Sequence, residues 1–170
     1  PWESHLTGIM NTLVPEKEIP SHQGPDAQSV DPSFDVITSA VKVPETLSHL
    51  HYWNVQLTRK TDKEEVLDAF NKSTRIAMIE YSDELAANNT VKELMLAIGR
   101  PYGDMYEVAL WQDMLKVVGD EVFYAYLVDN QAIVIPETID AIRALTGIEP
   151  DAEKSILKTN ESLGVKQSFY

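Results

Sequence analysis

The stretch TLSHLHYWNVQL, Thr46–Leu57, decides how the fold is read. Val, Trp, Tyr and Thr favour extended backbone, and strand side chains alternate between two faces. Leu47, His49, His51, Trp53, Val55 and Leu57 therefore share one face, and Ser48, Leu50, Tyr52, Asn54 and Gln56 share the other. Both histidines fall on the more apolar face, where an imidazole needs a partner. They are either satisfied core residues or groups that look into a site.

Outward from this strand, regular punctuation appears on its C-terminal side. TDKEEVLDAFNKS opens with Thr61 and Glu64 at capping-box spacing, with Val66, Leu67 and Phe70 as an apolar stripe. RIAMIEY (75–81) reads as a strand. Thr90 and Glu93 form a second capping box, and Gly99 is placed as that helix's stop. MYEVALW (105–111), MLKVV (114–118) and EVFYAYLV (121–128) are three more strands, the last two joined by a Gly119-Asp120 hairpin turn. Pro136 suits the first position of a helix whose buried stripe is Ile139, Ile142 and Leu145 and whose end is Gly147. A last helix runs from near Asp151 to Gly164.

On the N-terminal side, residues 1–44 hold six of the nine prolines, at positions 1, 15, 20, 25, 32 and 44. Proline lacks an N–H and resists regular elements, so residues 1–33 are expected to form an irregular arm. FDVITSAVKV (34–43) reads as a strand. The sum is one α+β domain over residues 1–170, a mostly antiparallel sheet covered by helices.

Composition narrows the function classes. A chain of 170 residues, 44% hydrophobic and 24% charged, is ordinary for a single globular domain. The net charge of −13 argues against nucleic acid, which calls for clustered Lys and Arg. No apolar run approaches the roughly 20 residues that span a bilayer, and residues 1–14 lack the basic start and apolar middle of a signal peptide. A cytoplasmic, non-membrane protein is expected. There is no cysteine, hence neither a disulfide framework nor a cysteine nucleophile within these residues. Two strand histidines without a third ligand nearby make no metal site, since Glu45 and Asn54 are poorly placed.

Four motifs carry a resemblance. NTLVPEKEIPSHQGPD (11–26), VPETLSHLH (43–51), IPETIDAIRALTG (135–147) and TNESLG (159–164) occur in that order. Together they resemble the carboxy-terminal half of archaeal (type II) glyceraldehyde-3-phosphate dehydrogenases, from about Gly8 to Gly164. SHxGPD and TLxHxH are the most specific pieces. That resemblance implies a catalytic domain of similar plan beside an amino-terminal dinucleotide-binding domain. It implies phosphorylating oxidation of glyceraldehyde 3-phosphate, with inorganic phosphate and NAD or NADP, in glycolysis or gluconeogenesis. A cysteine thiolate attacks the aldehyde, hydride leaves to the nicotinamide, and phosphate cleaves the acyl-thioester.

Carried over by position, the resemblance makes His49 the base that takes the hydroxyl proton as hydride departs. His51 then orients or packs. His22 matches a substrate-phosphate contact in a tight turn set by Gly24 and Pro25, and Gln23 stands where a second histidine is common. Asn130 takes the place of a glutamine that holds the cofactor amide, within a segment, Asp129–Ala132, that departs from the family's HQES-type run. Gln131 takes over that contact if the register slips by one.

The cysteine segment, a pair of arginines and the Gly-rich dinucleotide fold lie upstream in the family and are not in this chain. The 170 residues alone are thus expected to be inactive, the intact protein an enzyme. The chain opens on Pro1 rather than Met, which favours a piece of something longer. The alternatives are a stand-alone domain kept for assembly, or a silent paralogue with a regulatory role. The family's sheet-to-sheet packing implies a homotetramer, formed through the face carrying Leu50 and Tyr52.

Overall fold

The computed structural model describes residues 12–45 and 47–170. Residues 1–11, the first part of the expected arm, and Thr46 of the TLxHxH motif lie outside the described residues. Contacts divide the chain into two compact units, Pro1–Thr46 and Leu47–Tyr170.

The first unit has more order than its prolines led us to expect. Strand β1 (Val14–Pro15) pairs antiparallel with β2 (Val41–Lys42), and Glu16 forms an ion pair with Lys42 at 3.1 Å. Between them lies helix α1 (Gln23–Val30), within the span read as irregular. Gly24 and Pro25 thus belong to a helical first turn rather than a tight turn. Proline costs nothing there, because the first-turn N–H groups have no intrahelical partner. Of FDVITSAVKV only Val41–Lys42 forms a strand, while Phe34 and Ile37 stay exposed. β-propensity needs a neighbouring strand to express itself, and the partner is only two residues long.

The second unit is an α+β arrangement around a five-stranded sheet. Its strands are β3 (Ser48–Gln56), β4 (Ile76–Ile79), β5 (Val108–Trp111), β6 (Lys116–Val118) and β7 (Glu121–Asp129). The order is β3-β7-β5-β4, with β6 also on β7. All pairs are antiparallel except β4 with β5. Those two are joined through helix α3 (Asn88–Ala97), and a helical crossover returns the chain in the same direction. The sheet is therefore mostly, not wholly, antiparallel. At the β6–β7 turn Gly119 has φ 70°, the sign that the first central position of a II′ hairpin needs.

The ladder from Ser48↔Asp129 to Gln56↔Glu121 fixes the faces. Opposed residues share a side, so His49, His51, Trp53, Tyr124 and Tyr126 lie on one face, and Leu50, Tyr52, Phe123, Ala125 and Leu127 on the other. Ala125 and Leu127 join Ala77, Ile79, Ala109 and Trp111 in the main core, closed by Val91 and Met95 of α3 and by Phe169. Helix α2 (Lys63–Asn71) sets Phe70 edge-on to Tyr124 at 5.2 Å on the histidine face.

Two capping boxes shift on inspection. The N-cap of α2 is Asp62, whose carboxylate accepts from the Glu65 N–H at 2.9 Å, while Thr61 bonds the Glu65 side chain. Helix α3 begins two residues before Thr90, whose hydroxyl donates back to the Ala87 carbonyl.

Helix α4 (Ile135–Thr146) corrects a larger expectation. Ile142 and Leu145 are exposed, Leu145 to 87%, and only Ile139 is half-buried. The inward side is polar instead. Asp140 accepts from Ser155 and Thr159 of helix α5 (Ala152–Leu163) and from Arg75, and Arg143 donates to the Ser155 carbonyl. A half-buried ionic network outranks the apolar stripe, because partly desolvated charges need partners while exposed leucines are tolerated.

Candidate functional site

The β3–β7 ladder ends where the sequence places its chemistry. His49 stands opposite Val128, and Asn130 follows the last ladder residue, its N–H donating to the Leu47 carbonyl at 3.1 Å. Two of the expected site residues, His49 and Asn130, thus come together at one end of the sheet. His49 is exposed, and Asn130 is half-buried.

His51 has a different setting. Its ring stacks on Tyr126 at 4.8 Å and 20°, and lies 6.1 Å from the His49 ring. Burial, followed by the neighbouring His49, holds the His51 imidazole below its usual titration range. It is therefore the packed member of the pair, stacked on Tyr126 behind His49. Beyond it Trp53, Tyr124 and Tyr126 continue the stack. Burial, and then Tyr126, pushes the Tyr124 phenol up to about 12, and burial also raises Tyr126. Both phenols stay protonated at neutral pH and are no bases.

Beneath the same corner, on the opposite face, lies a cluster that local sequence reading missed. Asp129 Oδ1 accepts from the Gln131 and Ala132 N–H groups at 2.8 and 2.9 Å, and Oδ2 from Lys92 of α3. Asn88 Nδ2, from the start of α3, donates to Ser48 Oγ at 3.3 Å. Burial pushes the Asp129 carboxyl up, but the Lys92 ammonium and the two N–H groups outweigh it and hold the group below the usual carboxylate range. Lys92 and Asp129 are 37 residues apart, so no local sequence signal links them.

His22 and Gln23 belong to the first unit. His22 is exposed at the N-cap of α1, and Gln23 is half-buried, its side-chain oxygen accepting from Ser21 Oγ at 2.6 Å. Thr38 Oγ1 accepts from the Gly24 N–H at 3.0 Å and donates to the Ser21 carbonyl, fixing this turn. A Cβ at Gly24 would lie 2.9 Å from that same oxygen. Among the described residues no three His, Asp or Glu side chains gather as a metal-ligand set.

Comparison with known proteins gives a single answer. Residues 7–114 match the family described as glyceraldehyde 3-phosphate dehydrogenase, C-terminal domain. The chain is 39% identical over 159 residues to a glyceraldehyde-3-phosphate dehydrogenase of Methanobrevibacter smithii, covering 93% of this chain and 47% of that protein. It is 40% identical over 162 residues to that of Methanococcus maripaludis (94% and 47%) and 38% over 162 residues to that of Methanopyrus kandleri (95% and 46%). The chain spans about half the length of these archaeal relatives. The family match and these relatives agree on one assignment: the chain belongs to the glyceraldehyde-3-phosphate dehydrogenase family, as the C-terminal, catalytic-domain portion.

Proposed function

We propose that this chain is the substrate-side domain of a cytoplasmic phosphorylating dehydrogenase that oxidises glyceraldehyde 3-phosphate with inorganic phosphate and NAD or NADP. The observation that carries the reading is the contrast between the two strand histidines. His49 is exposed at the sheet's end, whereas His51 is half-buried and stacked behind it. A base must reach the proton it removes, and of the two strand histidines His49 has the greater access.

No residue of the chain is a cysteine, so the attacking thiolate comes from outside these residues. Once it has added to the aldehyde, His49 takes the proton from the adduct's hydroxyl while hydride departs, leaving an acyl-thioester. The same histidine, now protonated, faces the incoming phosphate. The nicotinamide, when bound, supplies the hydride acceptor. The Asn130 Oδ1 is buried, so the side chain meets the nicotinamide's carboxamide through its NH2 donors, directed at the amide oxygen. His22 and Gln23 are the groups for the substrate's phosphate. With the Gln23 oxygen engaged by Ser21, its NH2 is the part left to meet an anion.

The proposed homotetramer forms through the face opposite the histidines. There Leu50 and Tyr52 are 52% and 70% exposed, with Phe123 and Val118 also exposed on that face. Among the described residues no helix is long and apolar enough to cross a membrane.

The test is turnover of the protein that carries this chain together with its dinucleotide-binding half, followed as reduced cofactor. His49→Ala is expected to lower kcat by roughly 10²–10⁴, the range for a general base, and His51→Ala by far less. Full turnover of His49→Ala would assign the base elsewhere. A silent wild type would instead favour an assembly or regulatory domain; the departures at Gln23 and 129–132 support the silent, regulatory paralogue.

A further inference from the structure

The Asp129–Lys92 pair lies outside the reacting groups, on the opposite face of the strand ends that carry His49 and Asn130. Asp129 is buried, opposite Ser48 in the ladder, and one residue before Asn130. Its Oδ1 closes a turn by accepting the N–H groups two and three residues ahead, which fixes the backbone on either side of Asn130. Its Oδ2 is tied to Lys92, so the turn is anchored to α3 rather than left as a free loop. The Asn130 N–H is bonded in turn to the Leu47 carbonyl, two residues before His49. One carboxylate thus locks the turn that carries Asn130 and the strand end that carries His49.

We infer that Asp129, held by Lys92, is a positioning residue that sets the Asn130 carboxamide for the amide of the nicotinamide cofactor. This rests on the dehydrogenase reading above. The physical case is one of reach. An asparagine side chain is one methylene shorter than a glutamine, so it meets a ligand amide only where its backbone is held close and still. Asp129 supplies that restraint without touching the cofactor. The ordering is done before binding, so less freedom is lost when the ligand arrives.

The test measures NAD and NADP dissociation constants by direct titration of the protein carrying this chain and its dinucleotide-binding half. Asn130→Ala and Asp129→Ala are each expected to weaken binding of the preferred cofactor roughly tenfold, about the loss of one good hydrogen bond. The double variant should be no more than about twofold weaker than Asn130→Ala alone, because both changes remove one interaction. Asp129→Asn, which keeps an Oδ1 acceptor but loses the charge that holds Lys92, should fall between wild type and Asp129→Ala. The KM for the aldehyde should stay unchanged. Amide hydrogen exchange on the same proteins should speed up at Gln131 and Ala132, and remain slow at Val122 and Ala125 if the sheet is intact.

Independent, multiplying effects of Asp129→Ala and Asn130→Ala would overturn the positioning role and leave the dehydrogenase reading standing. So would unchanged cofactor binding in both Asp129 variants. A silent Asn130→Ala overturns the cofactor contact and the inference with it. A wild type that binds neither cofactor overturns the dehydrogenase reading itself.

Discussion

The most deeply buried ion pair among the described residues is Arg100 with Glu107, and its removal gives a prediction whose size follows from the structure. Glu107 is fully buried, and Arg100 nearly so. Their bonds are bidentate, Nη1 to Oε2 and Nη2 to Oε1, both 2.6 Å. The pair also clasps the C-terminal segment. Arg100 Nη2 donates to the Gly164 carbonyl at 2.7 Å, and the Lys166 N–H donates to Glu107 Oε1 at 2.6 Å. The guanidinium lies 5.3 Å from the Tyr106 ring centre and 6.0 Å from that of Phe169, a member of the core.

Arg100→Met leaves a buried carboxylate with one N–H and no counter-charge. Breaking such a pair from one side costs about 3–5 kcal/mol, a large part of the about 5–15 kcal/mol that holds a domain folded. With a urea slope of about 2 kcal/mol/M, the unfolding midpoint should drop by about 1.5–2.5 M. The double variant Arg100→Met/Glu107→Leu removes both charges and keeps the volume. It should lose only about 2–4 kcal/mol, mainly from the stranded Lys166 N–H and Gly164 carbonyl at about 1–2 kcal/mol each. The assay is urea unfolding followed by tryptophan fluorescence, since Trp111 sits in the same core. A single variant that loses under about 1 kcal/mol, or a double as damaging as the two singles added, would refute the reasoning.

Two further outcomes are expected. His51 prefers its neutral form in the folded state, so below pH 6.5 the unfolded chain binds a proton that the folded one refuses. Stability should then fall as pH drops from 6.5 toward the lowered folded value, by at most about 1.4 kcal/mol per pH unit, and His51→Gln should remove that share of the slope; equal slopes in wild type and variant would dismiss it. On the exposed sheet face, Leu50→Lys/Tyr52→Lys should leave the fold intact and lower the mass seen by light scattering, because like charges would be brought together across a symmetric contact; an unchanged oligomer would place the interface elsewhere.

What the sequence told in advance was whatever depends on neighbours along the chain. Gly119 in its hairpin, Pro136 in the first turn of α4, and Gly147 and Gly164 in left-handed caps all sit as expected. Each is decided by φ, or by a missing N–H, within two or three residues. Alternation likewise put His49 and His51 on the face that the fold half-covers. The misreadings have two causes. Asp62 displaced Thr61 as a cap by a local choice between two good candidates, whereas the stripe on α4 failed because its partner lies far along the chain. Arg75 bonds Glu137 and Asp140, 62 and 65 residues away, and turns the helix by its charges.

The same reasoning separates the visible part of the site from the hidden part. A reacting group must be reachable, so His49 stands at a strand end where alternation and a short motif reveal it. A group that holds another in place must be buried and tied, and its partner is then wherever the fold brings a helix across the sheet. Lys92 lies on such a helix. Its charge reads, in sequence, as one more solvated lysine; only the crossover from β4 to β5 sets it beneath the Asn130 turn. The supporting half of a site is therefore written in topology, and becomes legible only once the sheet order is known.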